Sequence, residues 1–480
     1  MNGVSYVELW RALLPEGCLT LGALLVLAID LAAPASRPAA ARRGAATALA
    51  LMALAASAWA TVRAGTDGAA FGGVFALDRL TLVTRLGVIG LALLTVALAG
   101  NLSRLANAAE YLALILFATA GFTLMAASNQ LLLAFLALEL ASLSLYVLAG
   151  FDKTRPESAE AGLKYFLFGG VSAAFMLFGF SLLYGLTGSI AFPEIARQLA
   201  AQPTSALLVV ALVMVLVAFG FKAAAAPFHL WAPDVYEGAP VGSAALIASA
   251  SKLAGVAFFA RLLWAGIGAP VAATWLPVLA ILAAASLVLG NVAALAQSNV
   301  RRLLAYSAIS HAGALLLGVM VAGRSPGSVV YYAVTYGLAT VGAFGVIAAL
   351  EAAGPSQRIE DLAGLHRRSP FLAGCLAIYI LSLAGIPPLA GFLGKFAVFA
   401  DALRAGGLTG PTGWLAFLAI AMGAVGLYYY LLILKQAFVA APKNGAAKIF
   451  IPPAARLALG VAAVAIIVFG VAPGLILGAF

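Results

Sequence analysis

Five ionisable side chains fall inside long apolar runs of this chain: Glu139, Lys164, Lys222, Lys252 and Lys395. A charge at the centre of a membrane helix costs about 2.5–3.5 kcal/mol on insertion scales, so five of them need a reason. Proton transfer is one. Desolvation disfavours an ammonium, and a nearby carboxylate favours it again. Changing the distance between the two would switch a buried lysine between loaded and unloaded states. Glu139 reads as the only acid deep in such a run, which makes it the candidate modulator, with one of the lysines as its partner. A static buried ion pair is the alternative. Lys164 lies near the start of its run, where a lysine can snorkel to the headgroups, whereas Lys252 and Glu139 have apolar or small residues on both sides. His311, in Ser307-Ala308-Ile309-Ser310-His311, has the chemistry of a relay between lysines, or of a hydrogen-bonded packing residue. His229 would line an exit or stack on Trp231. His366 falls in a basic loop and reads as solvated. Arg85 and Asp30 take structural readings near helix ends. The run Tyr428-Tyr429-Tyr430 offers channel hydroxyls, with helix packing favoured.

These residues need elements to hold them. Of 480 residues, 64% are hydrophobic and 9% charged, against about 25% charged in a soluble domain. Apolar runs recur at about the twenty-residue length a bilayer requires. They are apolar on every side, so they are helices and not the alternating strands of a barrel. The reading is an all-α polytopic membrane protein with about fourteen spans, at 13–33, 45–63, 80–100, 110–127, 130–150, 160–186, 205–226, 241–265, 272–296, 302–322, 327–352, 371–404, 413–439 and 456–476.

Two spans are interrupted. The seventh ends at Pro227 and continues as Phe228-His229-Leu230-Trp231-Ala232-Pro233, and the twelfth breaks at Gly385-Ile386-Pro387-Pro388. Broken helices in corresponding halves are a sequence pointer to a transport site. The breaks are about 160 residues apart (227 to 387), each beside a lysine, and Gly220-Phe221-Lys222 faintly echoes Gly391-Phe392-Leu393-Gly394-Lys395.

The loops after odd-numbered spans hold Arg37, Arg42, Arg43, Arg104, Lys153, Arg155, Arg301, Arg302, Arg358, Arg367, Arg368, Lys435, Lys443, Lys448 and Arg456. Those after even-numbered spans hold only Arg63, Arg79, Arg197, Arg261, Arg324 and Arg404. The positive-inside rule puts the first set in the cytoplasm, with both termini outside. The net charge of +10 is thereby topological, and no basic stretch with interleaved aromatics points to nucleic acid. Ala33-Pro34-Ala35 resembles a signal cleavage site. Glu8 and Glu16 against Arg11 argue instead for a retained first helix. Cys18 and Cys375 are too few for an iron–sulfur cluster and are not expected to pair, and no helical histidine pairs suggest haem. The chain is expected to carry no metal or redox cofactor of its own.

The stretch Lys222-Ala223-Ala224-Ala225-Ala226-Pro227-Phe228-His229-Leu230-Trp231-Ala232-Pro233-Asp234, followed by Ala239-Pro240 and Lys252, resembles the antiporter-like membrane subunits of proton-pumping NADH–quinone oxidoreductase (complex I). Mrp-type sodium/proton antiporters and membrane-bound hydrogenases are close relatives of that family. The likeness covers nearly the whole chain. Lys395, where another branch has Glu, and an end soon after the last span, without a lateral helix, narrow the branch. The resemblance implies two inverted five-helix repeats, 106–265 (spans 4–8) and 266–440 (spans 9–13), after an N-terminal unit 1–105 and before a C-terminal helix in 441–480. It implies that Glu139 and Lys222 form the tunable pair, that Lys164 also takes part, that Lys252 and His311 bridge the halves, and that Lys395 faces the outer exit. NADH, flavin (FMN), iron–sulfur clusters and quinone would belong to partner subunits of a bacterial inner-membrane complex. Two other readings stay open: a gradient-driven cation/proton antiporter subunit, for which only Glu139 offers an acidic site, and a non-pumping structural spacer.

Overall fold

A computed structural model describes residues 6–34, 36, 38–66, 68–98, 107–323, 325–354, 357–442 and 448–480. Arg37, Arg104, Arg324 and Lys443 of the loop-charge argument lie outside the described residues.

The chain opens with α1 (Tyr6–Ala32) and α2 (Ala39–Ala64), then a two-stranded antiparallel hairpin, β1 (Gly68–Ala70) and β2 (Phe75–Leu77), with Gly68 opposite Leu77. Next come α3 (Arg79–Leu98), α4 (Ala108–Ala127), α5 (Leu131–Ala149), α6 (Pro156–Thr187) and the short α7 (Phe192–Ala200). The seventh crossing is α8 (Ala206–Ala223) followed by α9 (Trp231–Gly238). The eighth is α10 (Val241–Ala248) and α11 (Ala250–Arg261), interrupted at Ser249. Then follow α12 (Ala272–Leu295), α13 (Val300–Val321), α14 (Gly327–Ala353) and α15 (Leu365–Arg368). The twelfth crossing is α16 (Pro370–Ala384) plus α17 (Ala390–Gly406), followed by α18 (Pro411–Phe438), α19 (Pro453–Val471) and α20 (Gly474–Leu477). Thirteen described helical segments are long and apolar enough to cross a membrane, and α16 adds a shorter apolar one. This is the expected all-α polytopic fold with discontinuous seventh and twelfth spans. The hairpin, the amphipathic α7 and the Ser249 interruption were not anticipated.

The eighth crossing is buried along its length, α13 and α14 nearly so, while α6 and α18 face outward. The ends of the bundle are tied by hydrogen bonds to the backbone. At one end Phe75 bridges Ser128, Gln130 bridges Ala191, and Arg79 donates to the Ala479 carbonyl. At the other, Asn299 bridges Arg358 and Gly364 donates to the Gln436 carbonyl. At the first end Asp78 accepts two bonds from Arg261, at 2.7 and 2.8 Å. Burial pushes the Asp78 carboxyl up, but the guanidinium and Thr81 outweigh it and hold the group below its ordinary value.

A helix cut inside a membrane frees backbone groups that must find partners. Both cuts show where they go. After α8, Ala224 is left-handed (φ 58°), Ala226 donates to Ser286 Oγ at 2.9 Å, and Trp231 Nε1 donates to the Phe221 carbonyl at 3.2 Å. After α16, Gly385 (φ 86°) donates back to Leu381 and Ser382, and Gly391 donates to Ser382 Oγ at 3.1 Å. The Ala226–Pro227 and Pro387–Pro388 bonds are both cis.

Candidate functional site

Lys222 sits in the last turn of α8, at the first cut, and is 4% exposed. Its ammonium lies 3.5 Å from Ser142 Oγ and 5.6 Å from the Phe122 ring centroid. Ser142 is three residues beyond Glu139 on α5, so the two share a helix face. No ion pair within 4 Å joins Glu139 to Lys222 among the described residues, and Glu139 Oε1 is buried without a hydrogen-bond partner. A lysine beside a hydroxyl, with a carboxylate oxygen left unpaired on the same face of α5, is poised, and not locked. The Lys222 stem lies against Gly255, where an added Cβ would stand 3.1 Å from its Cγ. Gly255 follows Lys252 by three residues, so the missing side chain lets the first lysine approach the helix of the second.

Lys252, 2% exposed, follows the Ser249 interruption. Its Nζ donates to the Ala308 carbonyl of α13 and stands 5.4 Å from the Tyr336 ring centroid. The same Tyr336 ring packs on His311 at 4.8 Å. His311 Nδ1 bonds the Tyr332 hydroxyl at 2.6 Å and Nε2 bonds the Tyr430 hydroxyl at 3.0 Å, and Tyr430 also bonds Ser307 Oγ. Each phenol both accepts and donates. A proton arriving at one imidazole nitrogen thus releases another at the opposite side.

A cavity of about 20 Å³ lies beyond His311, lined by Tyr332, Ser310, Asn291, Tyr429, Tyr430 and Lys395. That space admits about one water molecule. Asn291 donates to Ser310 Oγ at 2.6 Å and accepts from Tyr429 at 3.0 Å. Lys395 Nζ donates to the carbonyls of Leu383 (2.8 Å) and Ala384 (3.2 Å), the free C-terminal end of α16. The negative end of a helix dipole favours a cation. The twelfth span is broken so that α17 can aim its lysine at the open end of α16.

The structure thus brings Glu139 near Lys222, and Lys252, His311 and Lys395 into one line. It sets Lys164 apart. That lysine is half-exposed on α6, pairs with Glu160 at 2.6 Å and Asp234 at 2.5 Å, and joins a surface network through Arg302 to Glu237. His229 is buried with Nδ1 unpaired, and the ring that stacks on Trp231 is Tyr165, at 4.4 Å. His366 is not fully solvated, since its Nδ1 contacts the Ala437 carbonyl at 3.1 Å. Tyr429 and Tyr430 line the site, while Tyr428 faces outward. Glu139 is not the only acid within a span. Glu16 is buried in α1, paired with buried Arg85 of α3 at 2.8 Å. The structure starts α1 at Tyr6, which places Glu16 well inside the helix. Tyr332, Tyr336, Ser142 and Asn291 were missed, because uncharged polar residues are common in membrane helices and nothing in their spacing marks them.

A profile of the NADH:quinone oxidoreductase/Mrp antiporter transmembrane family matches residues 128–441. The chain is 46% identical to NADH-quinone oxidoreductase subunit N 2 of Acidobacterium capsulatum, over 99% of both chains. It is 42% identical to subunit N 1 of Roseiflexus castenholzii, covering 86% of this chain and 81% of that one. Among solved structures, a chain of respiratory complex I from Thermus thermophilus superimposes with a TM-score of 0.80 at 35% identity, over 97% and 98% of the two chains. A chain of the Mrp complex from Dietzia sp. shares the fold at 22% identity, with a TM-score of 0.83 over 99% and 96%.

Proposed function

Because this chain belongs to the NADH:quinone oxidoreductase/Mrp antiporter membrane family, we propose that it is subunit N of a bacterial NADH–quinone oxidoreductase and moves protons across the inner membrane as other subunits pass electrons from NADH to quinone. The observation that carries this is the buried line from Lys252 through His311 and a water-sized cavity to Lys395. Proton movement needs exchanging groups held close together, and this line sets Lys252, His311 and Lys395 through the middle of the bundle, with the Tyr336 ring between the first two and a water-sized cavity between the last two.

In this reading residues 106–265 and 266–440 are the two antiporter-like repeats. The 1–105 unit and the 441–480 segment flank them. Glu139 is the electrostatic control. When its carboxylate is near, Lys222 holds a proton. When it is drawn away, the proton is released toward Lys252 across the gap left by Gly255. His311 then carries charge between its two phenols to the cavity, and Lys395, held by the end of α16, delivers it outward. His229 flanks the first cut. Lys164 acts from the surface network, where Asp234 and Arg302 tie it to α9 and α13. Both termini lie on the periplasmic side, supported by the excess of Lys and Arg at the opposite end. Flavin, iron–sulfur clusters and quinone reside in partner subunits. The chemistry of this chain is then acid–base throughout.

The test is the intact complex in proteoliposomes, measuring protons moved per NADH oxidised. Lys252→Met is expected to lower pumping by more than tenfold while the redox subunits still co-purify. Full pumping in that variant would exclude the buried line as the path. Purification with antiporter chains alone, without NADH oxidation, would reassign the chain to a gradient-driven exchanger.

A further inference from the structure

A groove between α16 and α19 belongs to none of these steps. It measures about 780 Å³. Along α19 it runs from Arg456 to Phe469. Thirteen residues of helix make that about 20 Å, enough to pass through one leaflet of a bilayer whose core is about 30 Å thick. Val461 and Val464 on its wall are 51% and 58% exposed, so the groove opens outward. Gly460 leaves room beside Phe371, since an added Cβ would meet only Phe371 Cζ, at 3.9 Å. Past Phe469 the groove closes as α19 packs onto the second cut. There an added Cβ at Gly470 would stand 2.1 Å from the Pro388 carbonyl oxygen.

The polarity of this groove is one-ended. Arg456 is its one charged lining residue, and the rest of the lining is aliphatic, aromatic, proline or glycine. Arg456 lies in the first turn of α19, with its guanidinium 5.1 Å from the Phe371 ring centroid. A guanidinium stacked on a ring keeps its fork of N–H groups free for an anion. Arg456 makes no ion pair among the described residues. Lys448 adds an exposed charge nearby, because the next residue, Ile449, donates to the Arg368 carbonyl just ahead of α16, at 3.5 Å. The loop-charge bias marks this end of the bundle as cytoplasmic. Basic pockets between membrane helices on that side suit anionic lipid head groups. A protein helix on this face would have to bring an acid of its own to Arg456. A phospholipid carries its phosphate and its apolar chain at the depths where the groove offers a cation and an apolar wall.

We propose that the groove between α16 and α19 binds one anionic phospholipid, with its phosphate on Arg456 and one acyl chain laid along α19 past Gly460. The proposal goes beyond the proton path and does not depend on it. Arginine can give a phosphate two parallel N–H bonds, which fixes the head group as well as attracting it. The missing side chain at Gly460 lets the acyl chain lie against Phe371, and a larger residue there would lift it off. The chain then reaches the level of Phe469, whose carbonyl accepts from the Tyr331 hydroxyl of α14 at 2.8 Å. The lipid thereby packs on α19 just short of the cut that carries Lys395.

Photolabelling of the intact complex tests this. The complex is placed in phosphatidylcholine nanodiscs with a trace of phosphatidylglycerol that carries a diazirine midway along one acyl chain. After irradiation, labelled residues are mapped by mass spectrometry. Label between Leu457 and Phe469 at least fivefold above that from an equally tagged phosphatidylcholine is expected. Equal labelling by the two probes would reduce the groove to ordinary lipid contact and overturn the proposal. Absence of label on α19, with label elsewhere on the complex, would mean that a partner helix covers the face, and would overturn it too. Arg456→Gln should bring the two probes to parity while NADH oxidation and assembly persist, and Arg456→Lys should keep the preference. Gly460→Leu, at a position with open space, should lower phosphatidylglycerol labelling at least threefold without loss of assembly. An undiminished preference in Arg456→Gln, or undiminished labelling in Gly460→Leu, would refute the site.

Discussion

At the scale of single residues, the buried groups are held by weak, replaceable partners. Lys222 has one long bond to Ser142, and His311 is suspended between two phenols. Tyr430→Phe removes the bond to His311 Nε2 and leaves Ser307 without its partner. A buried polar atom left unmatched costs about 1–3 kcal/mol. That variant should pump several-fold more slowly with assembly intact, and normal pumping would place the proton path elsewhere. The Glu16–Arg85 pair is a different case. It lies outside the line, with both side chains buried between α1, α3 and α4. Removing one partner of such a pair costs about 3–5 kcal/mol, while replacing both with apolar residues is often neutral. Arg85→Ala should lower the melting temperature in detergent, and Glu16→Leu combined with Arg85→Leu should recover it. An unchanged melting temperature in Arg85→Ala would deny the pair its structural role.

At the scale of elements, the two cuts and the Ser249 interruption bring charged side chains to helix ends instead of mid-helix walls. Glycine makes the close approaches possible. An added Cβ at Gly391 would stand 1.9 Å from the Ser382 carbonyl oxygen, so α17 folds back on α16 only without one. At Gly255 the fit is tight and not forbidden. Gly255→Leu should push the Lys222 stem off α11 and uncouple the two lysines, so that quinone-linked NADH oxidation slows while helix content stays the same by circular dichroism. Wild-type turnover in that variant would show that the approach is not used.

At the scale of the whole molecule, the described crossings place the start of α1 and the C-terminal residues at the same face of the bundle. The Arg79 bond to Ala479 puts the C-terminus beside the start of α3. In the proposed orientation that face is periplasmic. A phosphatase that is active only outside the cytoplasm, fused after Phe480, should therefore be active, and inactivity would invert the topology.

The sequence by itself determined the solvent, the element type and the number of crossings, because a bilayer demands long apolar helices and leaves little other choice. It also exposed Glu139, Lys222, Lys252, His311 and Lys395, since a charge or an imidazole in an apolar run is conspicuous. Both breaks were legible from Pro227 and from Gly385 with its prolines, because these residues cannot continue a helix without cost. Only the tertiary structure decided which charges meet. Helices that are apolar all round carry no mark of which face turns inward, so Lys164 read as buried and is half-exposed. Glu16 read only as a charge of the N-terminal segment, because its partner Arg85 comes from a helix 69 residues away. The tyrosines that join Lys252 to His311, and His311 to the cavity of Lys395, are ordinary membrane residues until α13, α14 and α18 pack together. Their arrangement is a property of contact between helices, which no single helix encodes.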